Sequence, residues 1–244
     1  MHHIGNTRSS SKRDHLLHTP DAFVRAALPG MQKAAAIVHA APAMGAAFTQ
    51  YTAEMEQGGT LGQASGSRFL YVLEGSLRAG GRGVTAGQYV YHPPDSGFAV
   101  AAAQPSRVVV IEKDYLALPQ QDPPKLFFGD EANVTPYGLE GDTWLNVRQL
   151  LPADQAFDFA VNTMTYQPGA TLPNVEIHVM EHGLLMLAGS GIYRLGDDWY
   201  PVSAGDFIWM GPYCPQWFGA LGKTPAKYLI YKDWNRHPLA SRGK

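Results

Sequence analysis

The chain has 244 residues, with 21 acidic side chains against 19 Lys and Arg, a net charge of -2 and a pI near 6.5. This balance gives no electrostatic reason to expect nucleic acid or an acidic membrane surface as a partner. The single cysteine, Cys214, excludes an intramolecular disulfide framework and is typical of a reducing compartment, so we expect a cytoplasmic protein.

The first residues carry no recognisable targeting signal. Residues 1–18 are polar and lack the apolar centre of a secretory signal, and no apolar run in the sequence approaches the length of a membrane span. We therefore expect a mobile N-terminal segment and no membrane partner.

Short β-branched and aromatic segments, separated by Gly and Pro, follow one another through the first half of the chain. They predict strands at residues 35–39, 46–52, 69–73, 88–92, 98–102 and 107–113. Residues 57–67 are rich in Gly, Ser and Gln, which predicts a loop. Many short strands with little helical periodicity indicate a β-sandwich or β-barrel.

A proline-rich segment separates this half from the next. Residues 117–142 contain four prolines and few periodic apolar positions, which predicts a linker or an extended arm. Strands are then predicted at residues 144–150, 157–166, 175–180, 184–188, 191–195, 199–202, 207–210 and 228–232. The predicted fold class is all-β.

The two halves show a weak internal repeat. Residues 69–77 (FLYVLEGSL) parallel 183–191 (GLLMLAGSG), residues 86–94 parallel 204–212, and residues 108–113 parallel 227–232. Three matches in the same order indicate two copies of one β-domain. The predicted domains are residues 20–116 and 143–240, joined by the linker at 117–142.

The second copy contains a cluster with the chemistry of metal ligands. Glu176, His178 and His182 form an E-x-H-x3-H pattern inside an apolar segment. On a strand, Glu176 and His178 would share one face, and His182 can return to the same point after a bend. One carboxylate and two imidazoles suit a hard or borderline divalent cation. The alternative is a structural ion pair with a hydrogen-bonded core histidine.

This pattern resembles the metal-binding motifs of the cupin superfamily, with the usual order of Glu and one His exchanged. Gly169 and Gly189 flank the first motif, Gly205 begins the second, and Gln216 lies where the family has its fourth ligand, a His. The resemblance implies two tandem jelly-roll β-barrels, a bicupin. In the first copy the ligand positions hold residues unable to bind a cation: Gly62, Ala64, Arg68 and Phe98.

A closer resemblance, from about Phe23 to Leu239, is to the bicupin (S)-ureidoglycine aminohydrolases. It rests on EIHVMEHG (residues 176–183), Gln216 and YLIYKDWNR (residues 228–236). It implies a manganese-dependent hydrolase of purine degradation that releases ammonia from a small ureido amino acid, (S)-ureidoglycine, and leaves (S)-ureidoglycolate. The implied ligands of Mn²⁺ are Glu176, His178, His182 and Gln216.

Further residues are candidates for catalysis or for the pocket. Tyr228 and Lys232 share one face of the last strand; if that face is inside the barrel, the Lys232 amine is desolvated and suited to proton transfer, with Tyr228 as its hydrogen-bond partner. The alternative for Lys232 is a surface lysine. Tyr193 could orient the substrate or simply fill the core. The predicted pocket walls, which also suit an ordinary core, are Met186, Met210 and Trp217.

Two other functions fit the same residues. The chain could be another metal-dependent cupin enzyme, a dioxygenase or an isomerase, or a non-catalytic bicupin that binds a small molecule. The apolar residues Val175, Ile177 and Val179 would face outward from their strand, which favours a homo-oligomer.

Overall fold

The computed structural model describes residues 5–64, 66–237 and 239. Its strands are β1 (Ser10–Ser11), β2 (His15–His18), β3 (Gln32–Ala40), β4 (Thr49–Thr60), β5 (Ser67–Glu74), β6 (Ser76–Ala79), β7 (Arg82–Thr85), β8 (Gln88–His92), β9 (Val100–Ala102), β10 (Ser106–Lys113), β11 (Phe127–Asp130), β12 (Tyr137–Leu139), β13 (Asp142–Gln149), β14 (Ala160–Tyr166), β15 (His182–Ala188), β16 (Ser190–Leu195), β17 (Asp198–Ser203), β18 (Phe207–Met210), β19 (Gln216–Leu221) and β20 (Ala226–Lys232). Short 3-10 helices cover Pro20–Ala22, Pro42–Met44 and Glu131–Asn133. The predicted all-β class is confirmed. None of the helices in the described residues is long and apolar enough to cross a membrane.

The chain divides into two compact units that interleave along the sequence. The N-terminal unit contains Val24–Thr135 and Leu151–Asp158. The C-terminal unit contains the described residues up to Phe23, Pro136–Leu150, and the described residues from Phe159 onward. The predicted domain boundaries at 20, 116, 142 and 240 stay a prediction. Leu151–Asp158 belong to the N-terminal unit although they follow a segment of the C-terminal unit, and no local sequence pattern predicts this.

The two units repeat one strand order. In the C-terminal unit the main sheet contains the order β18-β15-β20-β14-β13, and in the N-terminal unit it contains β8-β5-β10-β4-β3. The remaining strands also correspond, because β17-β16-β19 in one unit matches β7-β6-β9 in the other. The three sequence matches pair β5 with β15, β8 with β18 and β10 with β20, in agreement with this topology.

The N-terminal segment is not mobile over its described part, contrary to the expectation. β2 pairs antiparallel with β18, with His15 opposite Met210 and Leu17 opposite Ile208. The Leu17 side chain is buried in the core of the C-terminal unit. The apolar content of HLLH (residues 15–18) is too short to stand out in a sequence, yet pairing with a buried strand is enough to fix it. In the N-terminal unit, β11 occupies the matching place beside β8.

Three other expectations differ from the structure. Residues 57–60 extend β4 instead of forming a loop, and the proline-rich segment 117–142 contains β11 and β12. Residues 175–180 do not form a strand; a single bridge joins Glu176 to Gln216 within an otherwise irregular stretch. The segment that carries Glu176 and His178 is therefore held in place by contacts with its neighbours and not by membership of a strand.

The interior of the C-terminal unit follows the alternation of its strands. Leu184 and Met186 of β15, and Tyr228 and Ile230 of β20, have buried side chains in one apolar cluster. Leu229 and Tyr231 alternate to the opposite face of β20. The face that carries Tyr228 is therefore the inner one, and Lys232 continues it to the end of the strand.

Candidate metal centre and active site

Four predicted ligands come from three neighbouring pieces of the C-terminal unit. Glu176 and Gln216 exchange both backbone hydrogen bonds, at 2.9 and 3.0 Å, which seats the irregular segment beside the start of β19. The His178 carbonyl accepts a hydrogen bond of 2.7 Å from the Tyr213 amide. His182 is the first residue of β15. A short loop, rather than a strand, thus brings Glu176 and His178 to the same place as His182 and Gln216.

The side chains of these residues converge on the His178 ring. His178 Nε2 lies 2.6 Å from the Gln216 amide nitrogen, 3.2 Å from His182 Nε2 and 3.9 Å from Glu176 Oε2. Neighbouring ligand atoms around a six-coordinate ion with bonds of ~2.1 Å are separated by ~3 Å. The separations of 3.2 Å between the two imidazoles and 3.9 Å between His178 and Glu176 are close to that value. At Gln216 the amide nitrogen faces His178, so the side-chain amide must turn over to present its oxygen to the same cation.

The backbone fixes which ring nitrogens face this point. His178 Nδ1 lies 3.2 Å from the Met180 carbonyl and His182 Nδ1 lies 3.2 Å from the Tyr231 carbonyl. A carbonyl only accepts, so each Nδ1 is the protonated nitrogen and each Nε2 presents a lone pair. Outer hydrogen bonds of this kind orient metal-binding histidines. Burial, followed by the charges of Lys232 and His178, lowers the pKa of His182 well below its ordinary value, so this imidazole is neutral.

The side-chain oxygen of Gln216 has an unused capacity to bind a cation. Its Oε1 atom is buried and has no hydrogen-bond partner among the described residues. A buried carbonyl oxygen left in this state costs about 1–3 kcal/mol. A cation bound by Glu176, His178 and His182 would take this oxygen as a fourth ligand, so the residues present fit a divalent metal ion.

Lys232 lies beside this cluster, on the inner face of β20. It pairs directly with His182 across β15 and β20. Burial lowers the pKa of Lys232, while the Glu176 carboxylate acts in the opposite direction. The sequence expectation of a desolvated lysine inside the barrel therefore agrees with its position. Tyr228 also lies on this face, but its hydroxyl lies 2.6 Å from the hydroxyl of Tyr166, so the expected pairing of Tyr228 with Lys232 is replaced by a tyrosine pair.

Three buried tyrosines lie in the core near enough to Glu176 for its charge to affect them. Tyr166, Tyr193 and Tyr228 surround Phe218, with ring centroids 4.8, 5.5 and 5.8 Å from it. Desolvation raises the pKa of each tyrosine well above its ordinary value, and the Glu176 carboxylate raises it further. All three phenols are therefore neutral hydrogen-bond donors. Tyr166 was missed by the sequence analysis, because strand pairing across β14 and β20 is needed to bring it to Tyr228.

The predicted pocket walls divide into two groups. Met186 pairs with Tyr228, and Met210 pairs with His182, and both side chains are buried in the apolar cluster. Trp217 alternates with Gln216 and Phe218 along β19, so its indole lies on the other face of that strand. There it donates to the Leu172 carbonyl at 2.9 Å and contacts the Trp199 ring. The structure therefore buries Met186 and Met210 within the apolar cluster, whereas Trp217 is partly buried and packs against that cluster.

The matching position of the N-terminal unit holds an ion pair instead. Arg68 of β5 lies opposite Glu112 and His92, as His182 lies opposite Lys232 and Met210. The buried Arg68 guanidinium is 2.7 Å from Glu112, and a guanidinium has no lone pair for a cation. The position that matches His182 is therefore occupied by a residue that cannot bind a cation.

Comparison with known proteins places this site in context. A family model described as "Cupin domain" matches residues 162–231. A protein of Arabidopsis thaliana named (S)-ureidoglycine aminohydrolase is 39% identical over 242 residues, which cover 96% of this chain and 80% of that protein. A protein of Escherichia coli (strain K12) with the same name is 33% identical, covering 90% of this chain and 88% of its own length. A crystal structure named putative glyoxylate induced protein from Pseudomonas aeruginosa superposes with a TM-score of 0.86 at 30% identity, covering 96% of this chain and 93% of that one.

Proposed function

The chain belongs to the (S)-ureidoglycine aminohydrolase family of cupin proteins, and on that premise we propose that it hydrolyses (S)-ureidoglycine to (S)-ureidoglycolate and ammonia. In this reaction the bond between the α-carbon and the amine breaks, and a bond from that carbon to a water oxygen forms. The amine leaves with one proton more than it carried, which water supplies. The chain must therefore hold a carboxylate-bearing substrate, exclude bulk water and move a proton.

We assign the metal centre to Glu176, His178, His182 and Gln216, with Mn²⁺ as the ion. The orphaned Gln216 oxygen and the two Nε2 lone pairs support this assignment. The donor set has no sulfur and combines oxygen with imidazole, which suits manganese better than a thiolate-preferring ion. When bound, such an ion supplies Lewis-acid polarisation and a fixed point for orienting the substrate.

We assign proton transfer to Lys232. Its lowered pKa favours the neutral amine, which is the form that accepts a proton from water and returns it to the departing ammonia. The neutral hydroxyls of Tyr193 and Tyr228 would donate hydrogen bonds to the substrate's carboxylate or ureido oxygen, with Tyr166 holding Tyr228 in place. Met186 and Met210 would limit the water around the reacting carbon.

The convergence of Glu176, His178, His182 and Gln216 beside Lys232 is the single observation that carries this function. The decisive experiment measures ammonia release from ureidoglycine generated in place by a separate allantoate-hydrolysing enzyme. Wild type with Mn²⁺ is compared with His178→Ala and with Lys232→Met. As a matched control, Lys227→Met removes a lysine that is also on β20 but on the opposite face from Lys232.

We expect rapid ammonia release by wild type and by Lys227→Met, and loss of it in His178→Ala and Lys232→Met. Failure of the metal-loaded wild type to accelerate release would overturn the proposed activity. Oxygen consumption by the same sample would point to a dioxygenase instead. Release that persists in His178→Ala would reject the metal centre while retaining the substrate.

Three further assignments accompany this function. We propose that the N-terminal unit has no catalytic role, since Arg68 and Glu112 neutralise each other where the ligands would lie. We propose a homo-oligomer, because Ile177 and Val175 keep 60% and 37% of their surface exposed next to the site; light scattering tests this. We propose a cytoplasmic location on the basis of the single cysteine, which cell fractionation tests.

A further inference from the structure

A second group of potential metal ligands lies outside the site described above. Asp14, His15 and Cys214 each offer one ligand atom, and these three atoms lie within 4.8 Å of one another. The side chains of His15 and Cys214 are buried, whereas that of Asp14 keeps 47% of its surface. The group is therefore a buried nitrogen and sulfur pair with a carboxylate at its open side. It joins the N-terminal segment to the loop that carries Gln216.

The outer contacts of His15 are those of a metal-binding histidine. His15 Nε2 lies 3.0 Å from the Tyr200 hydroxyl, and that hydroxyl donates to Asp198 at 3.4 Å. These contacts orient the ring. His15 Nδ1 faces Asp14 Oδ1 at 3.0 Å, and because a carboxylate oxygen only accepts, Nδ1 donates to it in the absence of a cation. A cation at Nδ1 would move the ring proton to Nε2, where the Tyr200 hydroxyl can accept it. Nδ1 is the nitrogen that a cation would use together with the carboxylate.

The backbone leaves room beside these ligand atoms. Gly196 lies next to them, with its amide held by the Pro215 carbonyl at 2.8 Å. A β-carbon at this position would be 3.6 Å from Asp14 Oδ2 and 3.9 Å from His15 Nδ1. The absence of a side chain at residue 196 thus keeps one side of the ligand group open to a small ion.

We propose that Asp14, His15 and Cys214 bind a second divalent cation, of the zinc type, distinct from the proposed manganese centre. Sulfur with imidazole and one carboxylate is a zinc-type donor set, and three protein ligands leave a position for water. The thiol proton goes to solvent on binding. His15 begins β2 and pairs with Met210 of β18, whereas Cys214 lies two residues before Gln216, the first residue of β19. The ion would therefore tie the N-terminal segment to the loop between β18 and β19. Its role is structural.

Cobalt provides a test that sees this site alone. Cys214 is the only cysteine in the chain. A charge-transfer band from thiolate to cobalt in the near ultraviolet therefore reports this site and not the sulfur-free centre at Glu176. Metal-free protein is titrated with Co²⁺, and then with Zn²⁺ or Mn²⁺ as competitor. We expect a band that saturates, that Zn²⁺ bleaches and that Mn²⁺ leaves in place; in His178→Ala, where the other centre is disabled, it should saturate at about one ion per chain.

Variants locate the band. Cys214→Ser should abolish it, His15→Gln should remove or strongly weaken it, and Tyr200→Phe should lower the cobalt affinity about tenfold to a hundredfold, as loss of an outer hydrogen bond does. His178→Ala, which disables the other centre, should keep the band unchanged. Absence of the band in folded wild type, or unaltered affinity in His15→Gln, would overturn the proposal. Neither result depends on whether the chain hydrolyses ureidoglycine.

Discussion

His182 lies directly opposite Lys232 across the pairing of β15 with β20, so an imidazole of the proposed metal centre and the only lysine on the inner face of β20 are neighbours. The charge of Lys232 helps to lower the pKa of His182, and the Glu176 carboxylate partly offsets the effect of burial on Lys232. The pKa of this amine is thus lowered beside a proposed metal-binding position. Burying a lysine in this way lowers the stability of the folded chain, and it provides an amine suited to proton transfer.

Replacing Lys232 with Met should separate these two effects. We expect kcat for ammonia release to fall about 10²- to 10⁴-fold, the range for loss of a proton-transfer group, with unchanged Mn²⁺ content. In metal-free protein at neutral pH, we expect the free energy of unfolding to rise, because the folded-state pKa of Lys232 lies below its unfolded value of 10.5. Kinetics, metal analysis and urea unfolding measure the three quantities.

The pH dependence of that stability change has a definite sign. Below the folded-state pKa, Lys232 is charged in both states, and the wild type bears the whole cost of burying the ammonium. As pH rises through the folded-state pKa toward 10.5, the folded protein loses the charge first and the cost disappears. The stability gain of Lys232→Met should therefore shrink with rising pH. A gain that grows with pH would contradict the assigned burial.

The sequence predicts the inner face of β20 well, because its apolar and polar residues alternate over a complete strand. It also identifies Glu176, His178, His182 and Gln216 by residue type and spacing. The sequence does not predict how these residues converge. Residues 175–180 form a loop that is held in place by backbone hydrogen bonds to Gln216 and Tyr213. Strand alternation is the wrong geometric reason for the grouping of these four side chains, which the structure does bring together.

Other features depend on pairing between distant segments, which no local pattern encodes. The HLLH segment (residues 15–18) carries only two apolar residues, yet it pairs with β18 nearly 200 positions later. Tyr166 has no distinguishing neighbour in sequence, and only the register of β14 with β20 brings it to Tyr228. Trp217 follows Gln216 directly, and that adjacency places its indole on the opposite face.

Gln216 provides a test of the metal centre that needs no substrate. In metal-free protein, Gln216→Leu should change stability little, because removal of a buried oxygen without a hydrogen-bond partner among the described residues offsets the loss of the amide contact with His178 Nε2. In the presence of Mn²⁺, the same variant should gain less stability from the ion than wild type does. Calorimetric melting with and without Mn²⁺ measures the difference. Equal Mn²⁺-induced shifts in the two proteins would exclude Gln216 as a ligand.

The hydrogen bond between Tyr166 and Tyr228 should be visible as energetic coupling. Tyr166→Phe and Tyr228→Phe should each lower the free energy of unfolding by about 1 kcal/mol. The double variant should lose less than the sum of the two losses, because both substitutions remove the same hydrogen bond. Tyr228→Phe should also reduce kcat, and Tyr166→Phe should reduce it less. Tyr91→Phe is the control, because it also removes a buried tyrosine hydroxyl, but one that is hydrogen-bonded to Ser67 in the N-terminal unit. Strict additivity of the two changes would show that the contact has no energetic weight.

The N-terminal segment should stabilise the C-terminal unit through Arg8. Its guanidinium donates to both oxygens of the fully buried Asp206, at 2.9 and 2.7 Å, just before β18 begins. Arg8→Ala leaves that carboxylate with the Ser203 amide as a remaining donor. The free energy of unfolding should fall by about 1–2 kcal/mol, which is less than the value for a buried charge because Arg8 is half exposed.

The control is Arg25→Ala, which breaks the exposed pair with Glu54 and should change stability little. Adding Asp206→Asn to Arg8→Ala should restore part of the loss, since no charge then stays buried. Urea unfolding of the four proteins decides the matter: if Arg8→Ala resembles Arg25→Ala, β2 alone holds the segment in place.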